Sequence, residues 1–262
     1  MIVVFGDSFA RIFTLFKSEK VQVYAFKGAT LKGLTRGSSE NRGTIERILK
    51  KNRAIKYAFF CFGQVDINLS FYYDIVKSKG NIPDGASQLN DHIKQYIDWI
   101  NELQGNFYRA IILPYPSPLD ANRTALSLIH YNSINKEQLE EYKASIEFCA
   151  SDLNRKIRYF ECIYTIQEYT KKNNVHRNII IFNLIDHILN DNLQIRECFI
   201  DISKHNMHIR WEPLIPYIVQ ECTRLNIPLT NNDVVNNILS IEAEYLQYKT
   251  EWLQINNEYW MQ

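Results

Sequence analysis

A three-layer α/β/α fold built on a parallel sheet of about five strands is what this sequence predicts, and three observations predict it. Five compact apolar runs recur along the chain, each short enough for a strand buried on both faces. Stretches with helical periodicity separate them, the alternation expected of a helix-covered parallel sheet. The runs end in Gly, Asp, Asn or Pro or just before such residues, so chemistry-bearing side chains collect where the strands stop. In open α/β sheets that edge is where ligands bind.

The first run, Ile2 to Phe5, stops at Gly6-Asp7-Ser8, and a helix is expected from Ala10 to Ser18. Val21 to Phe26 follows, ending in Lys27-Gly28-Ala29, with a helix over Gly43 to Lys51. Tyr57 to Phe62 ends in Gly63-Gln64, and Ser87 to Leu103 has helical spacing. Ala110 to Leu113 ends in Pro114, Lys136 to Lys172 reads as helix with a break inside it, and Ile179 to Asn183 ends near Asp186. Two long connections, Asp74 to Ala86 and Tyr115 to Asn132, follow strand ends and read as loops, with the lengths of pocket walls or surface insertions.

The main domain is placed at 1–230 and a C-terminal amphipathic helix at 231–262. Ile238, Ile241, Tyr245, Tyr248, Trp252, Ile255 and Tyr259 step by three and four residues, a narrow apolar seam. Such a seam packs on its own chain, or serves self-association or a protein partner through 234–262.

Bulk properties exclude several classes of function. At 262 residues and 46% hydrophobic composition the chain can bury a sizeable core. Thirty basic and twenty-nine acidic side chains leave a net charge of +1 with no long block of either sign, so neither nucleic acid nor an anionic membrane is expected as partner. The five cysteines, Cys61, Cys149, Cys162, Cys198 and Cys222, are odd in number and far apart, unlike a zinc site, and read as reduced thiols of an intracellular protein. No secretory leader pattern and no apolar run of about 18 residues is seen, so a soluble protein is expected. The first strand is followed by neither a dinucleotide glycine fingerprint nor a phosphate-cradling loop with lysine.

Ser8 therefore stands where a nucleophile would be useful, and an acyl-transfer site would need a base, an acid to orient it and oxyanion donors. His92 and His187 fall in or beside helical patterns, while His130 and His176 lie in loops with no acid arranged before them. The segment CFIDISKHNMHIRWEPLIPYI differs. An apolar run ends in Asp201, a polar loop carries His205 and His208, and Glu212-Pro213 opens an amphipathic helix. An aspartate and a histidine on one loop can share the hydrogen bond that sets the imidazole tautomer, leaving the other ring nitrogen for a serine. Either histidine could serve.

Four blocks, GDS after the first strand, FKGATLKGL after the second, FGQVD after the third and the Asp201 to His208 loop before a late helix, resemble those of the SGNH or GDSL hydrolases. The resemblance covers about residues 1–220. Its wording, with Tyr72-Tyr73 beyond the third block, is similar to a divergent branch of that superfamily. It implies a flavodoxin-like hydrolase architecture and an esterase acting on small O-acyl groups, such as acetate on carbohydrate, with neither metal nor organic cofactor. An idle binding domain of the same fold, contacting protein or glycan, is the alternative.

Residue by residue, the resemblance makes Ser8 the nucleophile and one backbone oxyanion donor, and Asp7 an acid that holds the turn. Gly28, or less favourably Gly33, offers a second backbone donor. His208, with Ile209 and a helix start behind it, is preferred as base over His205, and Asp201 is the orienting acid. Two departures stand out. The family's third block reads glycine, any residue, asparagine, aspartate, whereas Gly63-Gln64-Val65-Asp66 puts valine at the asparagine. Gln64 is then the substitute amide and Asn68 a weaker one, with Asp66 also counted on the substrate side. The family also spaces its aspartate three residues before the histidine, while Asp201 precedes His205 by four and His208 by seven.

Overall fold

A computed structural model describes residues 1–82, 85–118, 135–173, 179–200 and 209–235 of the chain. Five strands, β1 (Ile2–Gly6), β2 (Val21–Ala25), β3 (Tyr57–Cys61), β4 (Tyr108–Ile112) and β5 (Ile179–Phe182), form one sheet in the order β2-β1-β3-β4-β5. Every pairing is parallel. Connections between parallel strands must cross the sheet, which is why helices occupy both faces and the strands read as unbroken apolar runs. The chain leaves β1 toward β2 and afterwards builds outward through β3, β4 and β5, so the order reverses between β1 and β3. A crevice opens at such a reversal, beyond the carboxyl ends of the strands.

The helices are α1 (Leu31–Leu34), α2 (Glu40–Lys51), α3 (Phe71–Lys77), α4 (Gly85–Glu102), α5 (Lys136–Glu141), α6 (Lys143–Ala150), α7 (Asp152–Asn173), α8 (Ile185–Ile188) and α9 (Ile215–Arg224). Alternating side chains of one strand show the two layers. The Phe59 ring meets Phe13 of the 3₁₀ helix Ser8–Leu15 at 5.8 Å, while that of Phe60 meets Trp99 of α4 at 6.0 Å. Phe13 also packs on Phe182, joining β3 and β5 beneath one helix.

Local sequence accounts for most of these boundaries. Ser39 caps α2 by accepting from Arg42 N–H, and Lys50 and Lys51 close it where the helix dipole favours cations. Asn135 and Gln138 form a reciprocal capping box on α5. The long helical region predicted from Lys136 is interrupted at Tyr142 and Ser151, giving α5, α6 and α7.

Two expectations are corrected. The first helix begins at Ser8, not Ala10, and is 3₁₀ in geometry through Leu15, because the Asp7 side chain accepts from Phe9 N–H and caps it directly after the strand. The Asp74 to Ala86 connection is not all loop: Asp74–Lys77 belongs to α3. Tyr72, Ile75 and Val76 bury one face of α3 against Ile146, Cys149 and Ala150 in a small second core. Those partners lie about twenty helical turns of chain away, too distant for a local pattern to reveal.

After α9 the chain returns to the first helix. Lys17 N–H donates to Asp233 O at 2.8 Å and Val235 N–H to Leu15 O at 2.9 Å. The stretch 236–262, carrying the predicted apolar seam, lies outside the described residues, as does most of the Tyr115 to Asn132 connection. No helix among the described residues is long and apolar enough to cross a membrane.

Candidate active site

Register brings the first three blocks together. Gly6 pairs with Ala25 on one side and Cys61 on the other, so Asp7-Ser8, the turn after β2 and Gly63-Gln64 leave the sheet at one level. Two backbone bonds extend the ladder past the strands, Phe26 N–H to Gly6 O at 2.7 Å and Asp7 N–H to Cys61 O at 3.1 Å. Gly6 is required by space: a Cβ there would stand 2.5 Å from Cys61 O and 2.6 Å from Ala10 Cβ. Ser8 follows β1 where the strand order reverses, half-buried, as the first residue of its helix.

Asp7 is fully buried beneath it. Oδ1 accepts from Phe9 N–H at 2.9 Å, and the N–H groups of Val65 and Gln64 face the carboxyl without closing a hydrogen bond to Oδ2. Burial, opposed by these donors and reinforced by Asp66, pushes the Asp7 carboxyl up to about 8. Burial likewise lifts Asp66 to about 6 against the N–H groups of Leu31 and Lys32. Asp7 is thus a mostly protonated acid at neutral pH, suited to holding its turn without placing a full charge beside the serine.

Asp66 Oδ2 accepts from Leu31 N–H at 2.8 Å, pinning the turn after β2 to the helix after β3. In the same turn Gly33 N–H donates to Thr30 Oγ1 at 2.9 Å, so that donor is engaged in capping α1. Gly28 is exposed, with φ +72, and nothing lies within 4 Å of where its Cβ would stand. Its glycine answers to backbone conformation rather than crowding.

The two amides behind β3 differ. Asn68 commits both ends to structure, Nδ2 donating to Gln64 O at 2.9 Å and Oδ1 accepting from Ser117 N–H at 3.3 Å. Gln64 is fully buried; its Oε1 accepts from Tyr115 N–H at 3.0 Å, which fixes the amide plane, and its Nε2 has no acceptor. Val65 carries no polar atom on its side chain. The Tyr96 and Tyr115 hydroxyls are also buried without partners, pushed well up by burial and by the neighbouring Cys61 and Asp7. Sequence reasoning missed these two tyrosines: Tyr96 lies inside the helical stretch Ser87 to Leu103, and Tyr115 opens a connection read as loop, its one signal being the proline before it at a strand end. A π-helical turn over Asp66–Ser70, a form frequent at functional sites, leads into α3.

Asp201, His205 and His208 lie outside the described residues. Ile200 before them and Ile209 after them are described: Phe199 and Ile209 are buried, and Arg210 N–H donates to Phe199 O at 2.8 Å, so the two ends of the loop meet. Of the other histidines in described segments, His92 Nδ1 meets Thr35 Oγ1 at 3.2 Å and His187 stacks on Tyr217 at 4.5 Å.

No family model and no curated protein matches the chain. Solved structures do. It is similar to a proposed acylhydrolase from Bacteroides fragilis at 11% identity, over 86% of this chain and 87% of that one, with a TM-score of 0.50. It is also similar to a GDSL-like lipase from Bacteroides thetaiotaomicron at 11% identity, over 86% and 88% of the two chains, TM-score 0.49. A third is Est24, a carbohydrate acetylesterase from Sinorhizobium meliloti, at 10% identity over 87% and 99%, TM-score 0.45. At such identities the first of these likenesses concerns the fold, the three-layer architecture that the four blocks implied.

Proposed function

We propose that the chain is a serine ester hydrolase of the SGNH kind, acting on small O-acyl esters, with acetyl groups on carbohydrate as the first substrates to try. The observation that carries this reading is the reversal of strand order between β1 and β3, where Ser8 follows the strand and Gln64 holds an unpartnered, buried Nε2 beside a fixed carbonyl. A buried donor without an acceptor costs stability. An oxyanion forming beside it would recover that cost only as charge develops, which is how preorganised donors accelerate acyl transfer.

In this mechanism His208, with His205 as the substitute, takes the Ser8 Oγ proton as the hydroxyl attacks the ester carbonyl. The Ser8 and Gly28 backbone N–H groups and Gln64 Nε2 hold the tetrahedral oxyanion. The imidazole, oriented by Asp201, returns its proton to the departing alcohol, leaving an acyl-serine. Water, deprotonated by the same imidazole, then releases the acid and restores Ser8.

The second reading is an idle binding domain, and Val65 in place of the third-block asparagine favours it. Release of p-nitrophenol from p-nitrophenyl acetate by the wild type, Ser8→Ala and His208→Ala at neutral pH separates the two, with acetylated sugars as a second substrate. Turnover abolished in both variants is expected; wild-type rates no higher than those of Ser8→Ala on both substrates leave the binding domain standing.

A further inference from the structure

A cavity of about 380 Å³ opens at the same sheet edge, on the side of β3 away from β2. Segments that follow three different strands wall it: Asn68 after β3, Ser117 after β4 and Glu197 after β5, with Arg155, Lys156 and Arg158 from the first two turns of α7. Three cations at the amino end of a 22-residue helix oppose the helix dipole, which is positive there. The fold gathers positive potential in one recess and sets a single carboxylate, Glu197, against it among the described lining.

Arg158 is the sharpest feature. It is only 8% exposed, yet no carboxylate lies within ion-pair distance of it among the described residues. Nη2 donates to the Tyr72 hydroxyl at 3.1 Å and Nη1 reaches Cys149 O at 3.3 Å, while Nε has no acceptor. The ring of Phe71 lies 4.1 Å from its guanidinium carbon. Neutral acceptors and a ring face compensate part of the desolvation of a buried charge; a bound anion would compensate the rest. Arg155 Nη2 donates to Ser117 O at 2.7 Å and Lys156 Nζ reaches Asn192 O at 3.3 Å, so both cations are held at the recess.

We infer that this recess binds an oxyanion group, a carboxylate or a phosphate, carried by the small molecule on which the Ser8 edge acts. The link to turnover rests on the esterase reading, whereas the anion site stands on the recess alone. Guanidinium donors suit both groups, because their planar fork matches two oxygens at once. The recess shares the carboxyl edge with Ser8, so one substrate could present its acid group here and its ester there.

Calorimetric titration of the full chain in low-chloride buffer with succinate, and separately with inorganic phosphate, tests the site directly and tells the two sources apart. Saturable binding of at least one is expected for wild type and equally for Ser8→Ala. Lys156→Glu should weaken it by roughly 10- to 100-fold, the worth of a charge-assisted hydrogen bond. Arg158→Met should abolish it. Because Arg158 also braces α3 and α6, Lys156→Glu, at a partly exposed position, decides the matter if Arg158→Met does not fold. Binding of neither anion, or binding indifferent to the Lys156 charge, overturns the proposal. Mono-p-nitrophenyl succinate against p-nitrophenyl acetate then reads the link to catalysis: the ratio of their kcat/KM values should fall in Lys156→Glu. No turnover of either ester would count against the esterase reading and leave the titration to decide the anion site.

Discussion

Two arginines are buried among the described residues, one toward each edge of the sheet, and they are treated differently. Arg109, at the amino end of β4, is 4% exposed, and all three of its guanidinium nitrogens donate to backbone carbonyls, those of Ile100, Phe107 and Leu103. Arg158, toward the carboxyl edge, keeps an unpartnered Nε. The contrast extends to their surroundings. Among the described residues, Asp7 Oδ2, Gln64 Nε2 and the Tyr96 and Tyr115 hydroxyls are unpartnered near the carboxyl ends of β1 and β3, whereas near the amino edge the Thr170 hydroxyl is the exception. Folding alone favours complete pairing, since each orphaned buried group costs about 1–3 kcal/mol. Where the cost is concentrated at one edge, a ligand or a reaction is the simplest explanation. The amino edge is nearly fully paired; the carboxyl edge keeps most of the unpartnered buried groups.

The largest effect should come from the satisfied arginine. Arg109→Met strands three backbone carbonyls and is expected to lower unfolding free energy by roughly 3–5 kcal/mol, read by urea denaturation. A loss under about 1 kcal/mol would erase the contrast between the edges. Gln64→Leu should invert the pattern, lowering kcat for ester hydrolysis by ~10²–10³ while stability changes far less, because the amide loses only its bond from Tyr115 N–H. Unaltered kcat in a folded, active preparation would remove Gln64 from the oxyanion site.

Asp7→Asn sharpens the comparison through pH. With the folded carboxyl at about 8 against an ordinary 3.8, the native state binds more protons than the unfolded one between those values. Wild-type stability from this group is therefore fully present at low pH and lost as pH rises toward about 8. The substituted amide cannot ionise, so the variant should gain on wild type from pH 5 to pH 8; the slope from Asp66, lifted to about 6, is shared by both proteins and drops out of the comparison. Parallel stability curves for the two proteins would show that Asp7 is not held protonated. The smallest effect is expected from Gly28→Ala, about 1–2 kcal/mol for a left-handed residue in open space, measured by thermal unfolding. A larger stability loss would mean that crowding, not φ, demands glycine there.

Local pattern alone was enough to place every strand within about two residues, because apolar runs buried on two faces and the glycines, acids and prolines that end them are properties of neighbouring residues. The same holds for α4 and for the position of Asp7-Ser8 at a strand end, while α2 begins three residues before the expected Gly43, at Glu40 behind its Ser39 cap. It could not place α3, whose buried face is completed by residues of α6. Position in the blocks put Gln64 ahead of Asn68 and Gly28 ahead of Gly33, but it could not show which of their polar groups are engaged by hydrogen bonds. One amide is held by Tyr115 across 51 residues of sequence and keeps its donor free, while the other braces Ser117 across 49; the Gly33 N–H, by contrast, is engaged by Thr30 three residues away. Composition and periodicity report which atoms want to be buried. Which polar atoms stay unpaired once buried depends on partners brought together from distant parts of the chain, and only the tertiary structure decides that.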